Sequence, residues 1–167
     1  MLLKNTVSFE RNSVIDSLTL FIYFLYDSEY YNNVVTVKGG GLRYEYASTE
    51  LHFHWGNTTY PGSEHSVNQN RHLMEMHLVS LRKGLTVQNA VEDPEGIAVL
   101  GFFIDVGYSN NIKLKLTVQI DLLNGVNLSK FYRYNGSLTT PTCDEAVVWT
   151  VFQEPISVSK DLVRIKE

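Results

Sequence analysis

The pattern of apolar and polar positions changes character along the chain. Met1–Asp16 mixes charged and polar residues without a period, and Ser17–Tyr26 (SLTLFIYFLY) is then an unbroken apolar and aromatic run. Ten such residues are too few to span a bilayer. The run is also a poor secretory leader. The region before it is long and holds Glu10 and Asp16, and no small-residue cleavage site precedes Asp27-Ser28-Glu29. It reads as a buried strand or a short helix. From Val34 the pattern becomes strand-like. Val34–Val37 is a short strand closed by Gly39-Gly40-Gly41, which suits a turn or bulge. No helix start with Lys-Ser/Thr follows the triplet, which argues against a phosphate cradle. Tyr44-Glu45-Tyr46 leads into a strand over residues 49–55, and residues 57–63 (NTTYPGS) are loop chemistry. Glu64–Asn68 and Leu73–Val79 follow as strands, and Thr86–Glu95 is a polar connector with one helical turn and a bend. Gly96–Val106 (GIAVLGFFIDV) is the most apolar segment and predicts a central strand buried on both faces. Ile112–Leu122 alternates Lys113, Lys115 and Thr117 with Leu114, Leu116 and Val118, and stays open between strand and amphipathic helix. Leu128–Tyr134 carries aromatics toward a loop at Gly136–Pro141, Ala146–Phe152 is another strand, and Asp161–Lys166 is a terminal helix. No repeats, low-complexity tracts or interdomain linkers appear.

Composition narrows this picture. A chain of 167 residues is one domain's worth and long enough to bury a core. Apolar content of 44% with 19% charged residues marks a globular protein. A net charge of −4 offers no basic footprint, so nucleic acid is not an expected partner. Ten tyrosines and eight phenylalanines favour strands over helices. The single Cys143 has no partner for an internal disulfide, which by itself points to a reducing compartment.

All five histidines fall within residues 50–79 (ELHFHWGNTTYPGSEHSVNQNRHLMEMHLV). His52 and His54 are two residues apart, so on a strand both side chains leave one face. His77 lies in a second strand-like segment with Glu75 on its own face. Three imidazoles from two extended segments suit a tetrahedral zinc with one position open to water. A His-X-His pair alone is more often a polar surface or core feature; the third histidine and its carboxylate neighbour carry the reading. Ligating imidazoles need acceptors behind them, and Glu50 and Glu75 share faces with the histidines they would serve.

These residues also resemble a known family. His52-Phe53-His54-Trp55-Gly56, Gly62-Ser63-Glu64-His65, Glu75-Met76-His77-Leu78-Val79, Gly136-Ser137-Leu138-Thr139-Thr140-Pro141 and Val147-Val148-Trp149-Thr150 match, in order, motifs of the α-class carbonic anhydrases. The resemblance covers residues 34–167, as a partial domain, and leaves residues 1–33 as a divergent N-terminal segment. It implies a mixed α/β fold dominated by β: a central twisted, mostly antiparallel sheet with a few short peripheral helices. It further implies reversible hydration of carbon dioxide to bicarbonate by zinc-bound hydroxide, with Zn2+ on His52, His54 and His77. A zinc ion held by neutral imidazoles lowers the pKa of its water to about 7, which makes hydroxide available at neutral pH. In the family a threonine accepts the hydroxide's proton and passes its own to a buried glutamate, and that pair maps onto Thr139 and Glu64. Glu75 maps behind His77, His65 to a buried structural histidine, and Val79, Val99, Leu138, Thr140, Val147 and Trp149 to the substrate pocket. His72 maps to no role and is expected to be exposed. Sulfonamide-type inhibitors and a monomeric state are further implications.

The chain also departs from that pattern. Glu50 stands where the family usually has glutamine, a change that would make the ligand more basic and raise the pKa of the zinc-bound water. No histidine precedes His52, so no proton shuttle is found. Family domains are longer, so the chain reads as a fragment, an alternative product or an incomplete gene model. Residues 131–160 look most like the extracellular, membrane-anchored branch, although the chain shows neither a convincing leader nor an anchor signal. In that branch the cysteine matching Cys143 pairs with one near the N-terminus, which here would leave Cys143 a free thiol. Asn57-Thr58-Thr59, Asn127-Leu128-Ser129 and Asn135-Gly136-Ser137 fit the N-glycosylation pattern, with Asn135, in the loop of the site, the poorest candidate. Two alternatives stand beside the enzyme. One is a weak or inactive carbonic anhydrase-related binding protein. The other is a truncated product whose exposed sheet edges and apolar faces favour aggregation.

Overall fold

The computed structural model describes residues 7–10, 35–57, 59–107 and 126–158. Among the described residues, seven strands form one sheet: β1 (Val7–Glu10), β2 (Thr36–Gly39), β3 (Tyr46–Trp55), β4 (Met74–Arg82), β5 (Ile97–Val106), β6 (Phe131–Gly136) and β7 (Val147–Val158). Their order is β1-β2-β3-β4-β5-β7-β6. Every neighbouring pair is antiparallel except β5 and β7, which run parallel. The β-dominated, mostly antiparallel class expected from the family resemblance is the observed one.

The apolar run 97–104 explains the position of β5. Each of its residues is buried, and alternation sends them to opposite faces. Leu100, Phe102 and Ile104 join Leu51, Met76, Leu78 and Phe152 in one core layer. Val99 and Phe103 join Val147, Trp149 and Val151 in a second layer on the other face. Full burial of a side chain such as Phe102, stacked on Phe152 at 4.6 Å, contributes roughly 1.5–3 kcal/mol. β7 runs on past Phe152, the end expected from the sequence, and carries Pro155 within it. The register slips at that point, from Phe102↔Phe152 to Ile104↔Ile156, so a residue with no N–H sits where the ladder is already interrupted.

The connector over 86–95 contains the single helix among the described residues, α1 (Val87–Val91), capped by Thr86 Oγ1 accepting the Asn89 N–H at 3.3 Å. The glycine triplet forms the expected turn, with positive φ at all three residues. Glu64–Asn68, expected as a strand, is not one. The segment is irregular, and Asn68 and Gln69 adopt positive φ (52° and 68°) to form a tight turn bridged between Val67 and Asn70. Asparagine tolerates that conformation, and local turn chemistry overrides the apolar alternation there. The expectations for Ser17–Tyr26, Ile112–Leu122 and Asp161–Lys166 fall outside the described residues. Among the described residues no helix is long and apolar enough to cross a membrane.

Candidate metal centre

β3 and β4 are register-paired with His52 opposite His77 and His54 opposite Glu75. Period-two alternation puts the three imidazoles on one face, with ring centroids 4.9 Å (His52–His54), 5.2 Å (His52–His77) and 4.6 Å (His54–His77) apart. One nitrogen from each ring lies within 4.8 Å of the others, and His54 Nε2 is 3.1 Å from His77 Nδ1. Two nitrogens sharing a tetrahedral zinc at bond lengths of about 2.0–2.1 Å stand about 3.3 Å apart. The donor set therefore fits zinc in both kind and spacing. Partial burial, followed by the neighbouring His77 and His52, holds His54 below its usual basicity, with Glu64 opposing, a shift toward the neutral form that a ligand needs.

Hydrogen bonds behind the rings fix which nitrogens are bare. Glu75 is fully buried, and its Oε1 lies 2.7 Å from His77 Nε2 and 2.5 Å from His65 Nδ1. Burial alone would raise its pKa, but side-chain bonds from His65 and His77 and the backbone N–H of His65 reverse that and hold it well below the usual carboxylate range. A carboxylate only accepts, so both facing nitrogens must carry protons. In a neutral His77 ring this leaves Nδ1 as the unprotonated nitrogen, aimed at His54. His65 Nε2 becomes the acceptor for the Tyr134 hydroxyl at 2.5 Å. Burial, with Glu75 and Glu64 adding to it, pushes Tyr134 up to about 12, so it remains a donor. The Glu75–His77 pair needs space on the neighbouring strand. Gly101 supplies it, because a Cβ there would sit 3.2 Å from Glu75 Oε1 and 3.7 Å from His77 Cδ2. Glu50 Oε1 lies 2.6 Å from His52 Nδ1, close enough for an ion pair, yet Nδ1 makes no directed hydrogen bond. Glu50 is 55% exposed, so its hold on His52 is weaker than that of Glu75 on His77.

The loop between β3 and β4 brings Glu64 to the same cluster. Its Oε2 is 3.4 Å from His54 Nε2 and 3.9 Å from His77 Nδ1, and is buried with no hydrogen-bond partner. Thr139 and Thr140 lie exposed in the loop after β6, and no hydrogen bond joins Thr139 to Glu64. Of the other expected pocket residues, Val99, Val147 and Trp149 are buried, and Val79 and Leu138 pack against them, so all five belong to one apolar layer beside the histidines. Trp149 stands edge-on to His77 at 4.9 Å and to His65 at 4.8 Å.

His72, expected to be exposed, is instead paired and stacked. Its Nδ1 donates to Asp105 Oδ2 at 2.7 Å, and its ring lies 4.1 Å above Phe103. The Leu73 N–H reaches the other Asp105 oxygen at 3.2 Å, and the His72 N–H donates to Ser63 Oγ at 2.9 Å. Arg71 donates to the carbonyls of Ser63 and Glu64, the latter at 2.8 Å. Sequence reasoning passed over Asp105, Tyr134 and Gly101. Tyr134 could have been found from the alternation in Phe131–Tyr134, and Gly101 from the break it makes in an otherwise apolar strand. Asp105 carried no comparable signal.

The eukaryotic-type carbonic anhydrase profile matches residues 23–166 of this chain. Carbonic anhydrase 4 of Oryctolagus cuniculus is 39% identical over 150 residues, covering 77% of this chain and 49% of that protein. Carbonic anhydrase 4 of Rattus norvegicus is 36% identical over 182 residues, covering 87% and 58%. Carbonic anhydrase 12 of Homo sapiens is 36% identical over 141 residues, covering 72% and 40%. The chain spans about half the length of the curated relatives it matches.

Proposed function

The chain belongs to the eukaryotic-type carbonic anhydrase family, and on that premise we propose that it catalyses the zinc-dependent, reversible hydration of carbon dioxide to bicarbonate and a proton. The observation that carries the reading is the convergence of His52, His54 and His77, with the bare Nδ1 of His77 set 3.1 Å from His54 Nε2 by its bond to Glu75. A zinc ion on these three nitrogens supplies a Lewis-acidic centre that makes hydroxide available near neutral pH.

The remaining residues bind, orient and exclude water. Glu75 fixes the tautomers of His65 and His77, and Glu50 serves His52 more loosely. Glu64 presents its unpartnered Oε2 beside His54 and His77, ready to accept a proton-bearing group. The family resemblance assigns Thr139 as that group's carrier, a role that needs its loop to bring the hydroxyl onto Glu64, to which it is not bonded here. There it would donate to Glu64 and accept from the attacking oxygen, aiming a lone pair at the substrate. Val79, Val99, Leu138, Val147 and Trp149, with Thr140 at the rim, form a wall suited to carbon dioxide, which has no charge to anchor. The likeness of residues 131–160 to the extracellular, membrane-anchored branch of the family supports an extracellular or cell-surface location.

The test is a zinc assay on the folded chain together with carbon dioxide hydration measured with and without a sulfonamide. One zinc per chain and sulfonamide-sensitive turnover are expected, both lost in His54→Ala and His77→Ala. A folded sample without stoichiometric zinc overturns the reading. Bound zinc without turnover reassigns the chain as a binding relative of the enzymes.

A further inference from the structure

Asn57, Asn127 and Asn135 are all exposed, so accessibility does not separate the three glycosylation triplets. Local geometry does. At Asn57 the amide oxygen already accepts two backbone N–H groups, from Thr59 at 2.8 Å and Tyr60 at 2.9 Å, and the side chain is tied into the loop at the end of β3. Asn135 lies within β6, paired with Val148 on β7 and adjoining Tyr134, whose hydroxyl holds His65. An extended ladder residue cannot also fold its hydroxyl residue back onto its own amide.

Asn127 shares the backbone turn of Asn57 and adds to it a bond from the triplet's own hydroxyl. Its Oδ1 accepts the Ser129 hydroxyl at 2.6 Å and the Ser129 N–H at 3.0 Å. The Lys130 N–H closes the turn on the Asn127 carbonyl at 3.0 Å. Glu154 anchors the turn from β7, accepting the Asn127 N–H at 3.3 Å and the Lys130 ammonium at 2.8 Å. Leu128 packs against the core layer beneath while Asn127 stays outside. The side-chain bonds that fold the triplet onto the Asn127 amide oxygen are local, from Ser129 alone, while Glu154 holds the turn against β7. The hydroxyl donated to Oδ1 draws electron density toward oxygen and eases loss of a proton from Nδ2.

From this we propose that Asn127 is the N-glycan acceptor of this chain, the donor being a lipid-pyrophosphate-linked oligosaccharide. Nδ2 forms a bond to the anomeric carbon, the bond from that carbon to the pyrophosphate oxygen breaks, the pyrophosphate leaves with the electron pair, and one Nδ2 proton passes to a base on the transferase. The proposal rests on the extracellular reading above, and the experiment keeps the two apart. The full chain is translated behind a cleavable secretory leader in the presence of microsomes, and luminal entry is scored by protease protection. The leader-free chain run in parallel reports the chain's own routing. Protected chain is expected to carry one glycan, removed by an amidase specific for Asn-linked sugar. It is lost in Asn127→Gln and Ser129→Ala, and kept in Asn57→Gln and Asn135→Gln. Protected but unmodified wild-type chain, or a glycan that survives Asn127→Gln, overturns the proposal. Entry of the leader-free chain supports the extracellular reading independently of the glycan.

Discussion

At the scale of single residues, the centre depends most on Glu75. It is buried, accepts from two imidazoles at once, and has no substitute among the described residues. Glu75→Gln keeps the shape but puts an amide with its own donors where only an acceptor works, so the tautomers of His65 and His77 are no longer dictated. Zinc affinity, read by competition with a chromophoric chelator, is expected to fall about 10–100-fold. Glu50→Gln, at a half-exposed carboxylate without a directed bond, is expected to change it by less than that range. Tyr46 gives a separate handle, remote from the histidines. It is 1% exposed and donates to the Glu95 carbonyl at 2.9 Å, and burial, reinforced by Glu95, pushes its pKa from 10.0 up to about 12. Because the folded value is raised, the neutral phenol's support is complete below pH 10 and is lost as pH rises toward 12. Tyr46→Phe should cost about 1 kcal/mol at neutral pH and flatten part of the alkaline decline in denaturant stability. Tyr134 retains its own share of that decline.

At the scale of elements, the β3–β4 loop is the part to test. It reaches the sheet from within through His65 and Glu75, and from outside through His72 and Asp105. Loss of the outer pair, by His72→Ala or Asp105→Asn, is expected to cost about 1 kcal/mol each at this half-exposed site. The double variant should cost little more than either alone. Amide exchange should quicken across residues 62–73 while β5 keeps its protection. The same loop marks the limit of what was legible in the chain. His52, His54, His77 and Glu75 could be read directly, because a two-residue period decides which face a strand residue occupies. The buried run of β5 announced itself by composition. Glu64–Asn68 misled because turn preference at Asn68 and Gln69 outweighs alternation. The His72–Asp105 and His65–Tyr134 pairs join residues 33 and 69 positions apart, contacts that only sheet order creates.

At the scale of the whole molecule, one junction divides the sheet. β1 through β5 are neighbours in chain order, β6 and β7 form a second antiparallel pair, and the two groups meet only where β5 runs parallel to β7. His52, His54, His77 and Glu75 belong to the first group, whereas Trp149 and Tyr134, which wall and brace them, belong to the second. Pairing within a hairpin closes a short stretch of chain, while Ile97 must find Val147 across a far longer one. The parallel seam thus becomes a statement about time. In refolding followed by pulsed hydrogen exchange, amides bonded across the β5–β7 seam are expected to gain protection after those within the β3–β4 and β6–β7 pairs. The clustered histidines of the first group would then be gathered before the aromatic wall docks beside them.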